Sequence, residues 1–274
     1  MSSWQQMSDP FVGRIGGILS ADIAVPEHAR ELQFYSRVLT TGSDPFWRED
    51  LMNNRGIPII GLGEHSSAYA DLPLQWMPHI QVADVAASAA RALELGGAEL
   101  IHGKDNEGRS QWAVLRDPNG AAFGLIPVVS AEALPSREIM AADETVASPG
   151  CISWADLTVP DASNTRDFYR EVIGWSVQDV NMEDAGEHYA DYNMVGGDGS
   201  PAAGICHARG VNLGLPDVWL VYLPVGDLAE SLHRVQAEGG KVLKEVRSSD
   251  GGYSYAVIQD PVGARLALVP GQHR

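Results

Sequence analysis

The stretch SADIAVPE at residues 20–27 returns in the second half of the chain as WADLTVPD at residues 154–161. A second block of matching residues, from Trp76 to Pro127, returns between Trp219 and Pro270 at a larger offset. Blocks that repeat at constant spacing indicate an internal duplication. The larger offset predicts a longer hairpin region in the second half, between its two blocks.

Each half contains two similar units of its own. A short apolar stretch, a spacer and an acid precede a helical stretch at four places, and these acids are Glu27, Asp84, Asp161 and Asp227. An aspartate here accepts hydrogen bonds from free backbone N–H groups and caps the helix, whereas a glutamate is a weaker cap. We therefore assign the four acids to structure. The predicted helices cover residues 28–39, 85–95, 165–173 and 228–237.

Short strands are predicted after each helix. Residues 57–62 and 201–206 close the first unit of each half. In the second unit of each half, an Asp-Pro-x-Gly turn separates two strands. The strands before these turns are 111–115 and 253–258, and the strands after them are 121–127 and 264–270.

The composition restricts the class of protein. Asp and Glu number 36 and Lys and Arg number 19, and the formal net charge is −17. Such a charge repels phosphate backbones and anionic lipid, so neither nucleic acid nor a membrane is expected as a partner. Two cysteines exclude a disulfide scaffold and a Cys/His zinc cluster. Residues 1–10 lack the apolar core of a secretion signal, so the predicted location is cytoplasmic, with a small-molecule ligand as partner. Monomer and homodimer both stay open.

The fourfold order of strand, helix and strands, with its helix-start acids and Asp-Pro-x-Gly turns, resembles the βαβββ module of the vicinal oxygen chelate superfamily. This superfamily includes glyoxalases, extradiol dioxygenases and bleomycin-resistance proteins. The resemblance covers residues 12–129 and 148–271, with residues 130–147 as a linker. The motifs at 154–157 and 219–222 are similar to the two-domain actinobacterial glyoxalase-like branch.

The resemblance implies an α+β fold. Four modules would pair into two glyoxalase-like domains, each a curved mixed sheet that forms a cup with helices outside. In the metal-dependent members of the superfamily, His, Gln or Glu stands seven residues before the helix-start acid, and a Glu stands on the last strand. This chain departs from that pattern, and no metal cofactor is expected. The positions seven residues before the helix-start acids hold Ser20, Met77, Trp154 and Leu220. The positions of the expected Glu on the last strands hold Gly124 and Ala267.

Strand alternation separates the residues that face the helices from those that face the cup. Ile23, Ile80 and Phe123 are among those expected to face the helices. Asp22 and His79 are the candidate acid–base pair, because imidazole titrates near neutral pH and a carboxylate in an enclosed cup can act as a base. The other candidate ligand-binding residues, many of them aromatic, are Ser20, Gln81, Glu64, Trp112, Trp154, Asp156, Tyr222, Tyr255 and Arg265.

Three functions fit this sequence. The first is a protein that binds a small organic molecule in a cup without the usual metal ligands. The second is a glyoxalase-like lyase or isomerase that uses His79 and Asp22. The third is a metal-dependent dioxygenase with unusual ligands, for which Glu64, His65 and His79 are the available set. The sequence names neither the ligand nor the cup that binds it.

Overall fold

The computed structural model describes residues 13–134 and 149–271. Residues 1–10 and most of the expected linker 130–147 lie outside these ranges. The elements fall into four modules in chain order. The first module is β1 (Ile18–Val25), α1 (His28–Leu39) and β2 (Ile60–Glu64), and the second is β3 (Met77–Val82), α2 (Val85–Glu94), β4 (Ala98–Lys104), β5 (Ser110–Arg116) and β6 (Ala122–Pro127). The third is β7 (Trp154–Val159), α3 (Ala162–Ile173), β8 (Ser176–Asp184), β9 (Glu187–Val195) and β10 (Pro201–His207), and the fourth is β11 (Trp219–Val225), α4 (Leu228–Ala237), β12 (Lys241–Arg247), β13 (Tyr253–Gln259) and β14 (Arg265–Pro270).

Each module follows one pairing rule. Its first strand pairs in parallel with its last strand, as β1 with β2, β3 with β6, β7 with β10 and β11 with β14. The strands in between are antiparallel, giving the orders β3-β6-β5-β4, β7-β10-β9-β8 and β11-β14-β13-β12. The sheets are therefore mixed, and the predicted α+β fold is confirmed. None of the helices in the described ranges is long and apolar enough to cross a bilayer.

The described residues form two compact units, and each unit takes strands and helices from both halves of the chain. The α2–α3 unit contains residues 13–19, Met77–Leu134 and Trp154–Trp219. The α1–α4 unit contains Ser20–Trp76, residues 149–153 and 220–271. The domain bounds expected from the repeat, 12–129 and 148–271, stay a prediction.

The core of the α2–α3 unit is built from the apolar face of each of its strands. Ile80, Val82, Phe123 and Leu125 are fully buried there, as strand alternation predicted, and α3 adds Tyr169. The Tyr169 hydroxyl accepts a hydrogen bond from the Trp219 indole at 2.8 Å and donates one to the Asp117 carboxylate at 3.4 Å. Asp117 belongs to the first Asp-Pro-x-Gly turn, so this chain of hydrogen bonds joins α3 to a turn from the other half of the sequence.

The α1–α4 unit repeats the same arrangement. The Tyr35 hydroxyl accepts from the Trp76 indole at 3.1 Å and donates to Asp260 at 2.7 Å. Asp260 also accepts from the backbone N–H groups of Gly263 and Ala264, which fixes its own turn. We call each of these arrangements a Trp–Tyr–Asp bridge. Burial raises the pKa of both tyrosine hydroxyls well above the usual value, so they stay protonated donors.

Three of the four helix-start acids cap their helices as predicted. Asp84 accepts from the N–H of Ala87, Asp161 from that of Asn164, and Asp227 from that of Glu230, at 2.9–3.0 Å. Glu27 makes no capping hydrogen bond and instead pairs with Arg30 at 3.1 Å. A glutamate side chain is one methylene longer than the short side chains that favour this position.

The first module departs from the expected strand, helix and several strands. Within the described residues 40–59, pairing is limited to an isolated bridge between Trp47 and Asn53. This segment packs by its aromatic side chains: Phe46 and Trp47 are buried, and the Trp47 indole donates to the carbonyl of Pro224 at 2.7 Å. The third module instead has the long β8–β9 hairpin, so the prediction from the two offsets is confirmed.

Candidate ligand-binding faces

One position repeats on the first strand of all four modules, five residues before the helix-start acid. It holds Asp22, His79, Asp156 and Tyr222, and across the parallel partner strand stand Gly61, Gly124, Gly204 and Ala267. At the three glycine positions a Cβ atom would collide with the opposite side chain; at Gly124 it would lie 2.7 Å from Cδ2 of His79. The small partner therefore lets a polar or aromatic side chain lie across the neighbouring strand.

In the α2–α3 unit, His79 shares a sheet face with Trp112. The register places His79, Gly124, Val114 and Ile101 in one row across four strands, on the face opposite the core. The Trp112 indole lies over Gly103, where a Cβ atom would collide with the ring, and 39% of Trp112 is exposed. We call this surface the His79–Trp112 face. It offers an imidazole, an accessible indole and a partly exposed apolar floor.

Gln81 lies on the same strand but is fully buried. Its side-chain oxygen accepts from the N–H groups of Arg14 and Val129 at 3.3 and 2.9 Å, and its amide nitrogen donates to the carbonyl of Gly17 at 3.4 Å. These hydrogen bonds occupy the Gln81 amide and join Arg14 and Gly17 to Val129. Gln81 is therefore engaged within the fold and does not belong to the His79–Trp112 face.

The third module carries Trp154 and Asp156 on β7. The Trp154 indole donates to Asp156 Oδ1 at 2.6 Å, so the two candidates are held together. Nearby, Asp191 is almost fully buried and accepts from Nδ1 of His207 at 3.2 Å and from Asn212 at 3.0 Å. The sequence reading missed this cluster because residues 180–200 carry no motif of the repeat.

Cys206 lies beside these carboxylates. Burial, followed by the negative charges of Asp156 and Asp191, raises the pKa of its thiol well above the usual value. A thiolate is the nucleophilic form of cysteine, and this environment suppresses it. Cys206 is therefore a half-buried thiol that its surroundings keep in the protonated form.

In the α1–α4 unit, Asp22 is exposed and lies over Gly61, while Ser20 is partly buried on the same strand. Glu64 is exposed at the end of β2. Asp22 belongs to a different unit from His79, and their action as an acid–base pair stays a prediction.

The fourth module of the same unit places its two candidate tyrosines together. Tyr222 is buried and meets the partly exposed ring of Tyr255 edge-on, with 5.4 Å between centroids. Arg265 is partly exposed on β14, two residues before Ala267, the cross-strand partner of Tyr222.

Two family models match this chain, one in each half. The model of the glyoxalase/bleomycin resistance protein/dioxygenase superfamily matches residues 151–268, and a glyoxalase-like domain model matches residues 20–126. The chain belongs to this superfamily, the vicinal oxygen chelate superfamily. A Mycobacterium tuberculosis protein, CFP32, whose name describes a candidate glyoxylase, is 28% identical over 72% of this chain and 70% of its own length. The anthracycline biosynthesis protein DnrV of Streptomyces peucetius is 29% identical over 44% of this chain and 47% of its own.

Solved structures share the fold across nearly the whole chain. Homoprotocatechuate 2,3-dioxygenase from Arthrobacter globiformis has a TM-score of 0.53 at 15% identity, covering 97% of this chain and 82% of that one. A mutant of 4-hydroxymandelate synthase from Streptomyces coelicolor has a TM-score of 0.52 at 11% identity, covering 95% and 94%. At these identities the likeness establishes the fold alone.

The residues at the superfamily's metal-ligand positions do not fit a divalent cation. The Trp154 indole is a hydrogen-bond donor without a free lone pair and is engaged by Asp156. Gly124 has no side chain, and the His79 ring fills the space that a Cβ atom there would take. No three His, Cys, Asp or Glu side chains in the described ranges converge as metal ligands would. Glu64 and His65 belong to the α1–α4 unit and His79 to the α2–α3 unit, and the alternative ligand set of these three residues stays a prediction.

Proposed function

We propose that this protein binds a small, planar, oxygen-bearing organic molecule on the His79–Trp112 face, without a metal ion. The observation that carries the proposal is the placement of two ring side chains, each over a glycine, on one sheet face. An indole stacks on planar molecules, and a neutral imidazole can donate or accept a hydrogen bond to an oxygen substituent.

The face has the composition of a small-molecule site. Val114 and Ile101 form a partly exposed apolar floor beside the two rings. Pockets of this kind combine an apolar lining with a few placed polar groups. Strand spacing puts the backbones of His79 and Trp112 roughly 12 Å apart, which is the length of a molecule of two or three fused rings.

The relatives agree with a ligand of this class. DnrV is named for the biosynthesis of anthracyclines, which are planar oxygenated ring systems. The similar solved structures have names that refer to ring-cleaving dioxygenases and a hydroxymandelate synthase. Because the metal-ligand positions differ here, we infer binding of an aromatic oxygenated molecule and not its oxidative cleavage.

A binding experiment tests the proposal. Purified protein is titrated with a hydroxylated anthraquinone and with catechol, with and without EDTA, and its metal content is measured. Trp112→Ala should weaken binding roughly fivefold, because a stacked aromatic contact contributes about 1 kcal/mol. Tyr69→Ala removes another exposed aromatic ring, on the 3₁₀ turn Ser67–Tyr69, and should leave binding unchanged. Loss of binding with EDTA, or equal binding by wild type and Trp112→Ala, would contradict the proposal.

Acid–base catalysis by His79 is the second candidate function. The partly exposed imidazole lies on the same face, where it could move a proton on a bound dicarbonyl or hydroxylated compound. His79→Gln keeps a hydrogen-bonding side chain and removes the titratable ring. A lyase or isomerase should lose turnover in this variant while it retains ligand affinity. Wild-type protein that turns over neither dicarbonyls nor catechols leaves binding as the function, and Asp22→Asn tests the partner role in the same assay.

A further inference from the structure

The β4–β5 hairpin carries three polar side chains that are hydrogen-bonded in series. Nδ1 of His102 lies 2.8 Å from Oε2 of Glu99, and Nε2 of the same ring lies 2.8 Å from Oγ of Ser110. An ionised carboxylate only accepts hydrogen bonds, so Nδ1 carries the proton of the neutral imidazole, and Nε2 accepts from the Ser110 hydroxyl. We call this series the Glu99–His102–Ser110 relay.

A β-bulge in β4 brings the carboxylate and the imidazole to one face of the sheet. Residues three apart point to opposite faces of a regular strand. Here Glu99 pairs with Leu115 and His102 pairs with Ala113, because Leu100 is an extra residue between the two pairs. Leu115 and Ala113 are two residues apart and both buried, so Glu99 and His102 share the face on which these partners lie.

A second bulge, in β5, adds the hydroxyl to the same face. Gly103 pairs with Trp112 and Lys104 pairs with Ser110, so Gln111 is the extra residue on this strand. Ser110 therefore lies on the face opposite the Trp112 ring, which is the face of the imidazole and the carboxylate. Bulges are frequent beside active sites, where they re-aim a side chain.

The relay is partly screened but reachable from solvent. β4 is the last strand in the order β3-β6-β5-β4, so the hairpin forms a sheet edge within its unit. The side chain of His102 is 13% exposed and that of Glu99 is 37% exposed, and Ser110 is half-buried. Screening strengthens the hydrogen bonds that orient the imidazole, while the exposed part of Ser110 lets a small molecule reach its oxygen.

We propose that Ser110 is a nucleophile toward activated esters, such as aryl esters, with His102 as its general base and Glu99 as a positioning residue. The Ser110 oxygen attacks the carbonyl carbon of the ester while its proton passes to Nε2 of His102. The bond to the leaving oxygen then breaks, and that oxygen takes the proton. Water attacks the acyl group through the same nitrogen and releases the carboxylic acid and free Ser110. The relay lies on the sheet face opposite the His79–Trp112 face and does not depend on it.

Labelling of the full chain with a fluorophosphonate tests this inference, with the modified peptides identified by mass spectrometry. Ser110 should be labelled. Ser163, a half-buried serine of the same unit whose Oγ lies 2.8 Å from the Tyr192 hydroxyl, should not be labelled, because a phenol is a poor base at neutral pH. His102→Gln keeps a hydrogen-bonding side chain and should slow labelling of Ser110 about 100-fold. Thermal midpoints of all variants verify folding.

Hydrolysis of 4-nitrophenyl acetate provides the kinetic readout. Ser110→Ala should lose the turnover of wild type, and Ser163→Ala should keep it. Glu99→Gln should lower kcat about tenfold or more at an unchanged KM, because the amide no longer fixes the imidazole tautomer, whereas a merely structural hydrogen bond would change only the thermal midpoint. An unlabelled Ser110 in folded wild-type protein, equal labelling of Ser110 and Ser163, or wild-type labelling in His102→Gln would overturn the inference.

Discussion

The glycine opposite Asp22 controls the position of that carboxylate. A Cβ atom at Gly61 would collide with Asp22 Oδ1, whereas one at Gly63 on the same strand would meet a backbone atom at 3.7 Å, an ordinary contact. Gly61→Ala should therefore displace the carboxyl of Asp22, which ends an exposed side chain and can rotate away, and lower stability by about 0.5–1 kcal/mol. Gly63→Ala should be neutral within about 0.5 kcal/mol. Urea denaturation of both variants measures the difference, and equal effects would show that Asp22 does not lie across Gly61.

Glu31 gives the α1–α4 unit a pH dependence. Its carboxyl is fully buried, and no hydrogen-bond donor among the described residues reaches its oxygens. Burial, followed by the charge of the neighbouring Asp260, raises its pKa from 4.5 to about 8. The folded protein therefore holds a proton that the unfolded chain releases, and stability falls as the pH rises from about 4.5 to about 8.

Glu31→Gln tests this dependence. The amide stays neutral at every pH and can donate to Asp260, so the variant should be more stable than wild type at pH 8 by at least about 1 kcal/mol. Its thermal midpoint should change less than that of wild type between pH 5 and pH 8. Glu27→Gln, an exposed change at the start of the same helix, should keep the wild-type slope. A wild-type slope in Glu31→Gln would mean that another group titrates.

The sequence predicted the positions of these residues better than their roles. The repeat placed Asp22 and Asp156 at equivalent positions, and alternation put both of them and His79 on the face opposite the core. It did not indicate that glycines on the partner strands make room for them, because cross-strand register between distant segments is not visible in a single sequence. Burial of Glu31 was missed for the same reason: its carboxyl neighbour, Asp260, lies in the other half of the chain.

Helix starts were the most predictable elements, since a cap depends on residues that are neighbours in sequence. Asp161→Ala should cost about 1 kcal/mol of stability, because the N–H of Asn164 loses its acceptor. Glu27→Ala should cost less than about 0.5 kcal/mol, because Glu27 makes no capping hydrogen bond and its ion pair with Arg30 is exposed. Chemical denaturation compares the two. A larger loss for Glu27→Ala would contradict the capping geometry.

The segment 40–59 was the least predictable element. A strand was expected from residue 57, but β2 begins at Ile60, and buried aromatic side chains hold the chain before it. Short apolar runs do not reveal whether they pair as strands or pack as irregular chain, because both bury the same side chains. The β8–β9 hairpin, in contrast, was predicted from the larger sequence offset of the second repeated block alone.

In the whole molecule the two halves of the sequence depend on each other, and neither half should fold alone. Each compact unit draws its core from both halves, and in the α2–α3 unit Phe123 packs edge-on against Tyr169 at 5.1 Å. A fragment of residues 13–134 would leave such apolar surface uncovered. Circular dichroism and proteolysis should find each half, 13–134 and 149–271, unfolded or aggregated, and co-expression should recover a complex. A half that unfolds cooperatively by itself would contradict this expectation.

The two Trp–Tyr–Asp bridges have a consequence for inheritance. Tyr35 is tied to an aspartate from the opposite repeat, and Tyr169 likewise. Once two gene copies depend on each other in this way, deleting one removes hydrogen-bond acceptors that the survivor needs. Recombination that deletes one of the two copies would then be selected against. The two copies can diverge in the ligands that they bind only while both Asp-Pro-x-Gly turns are retained.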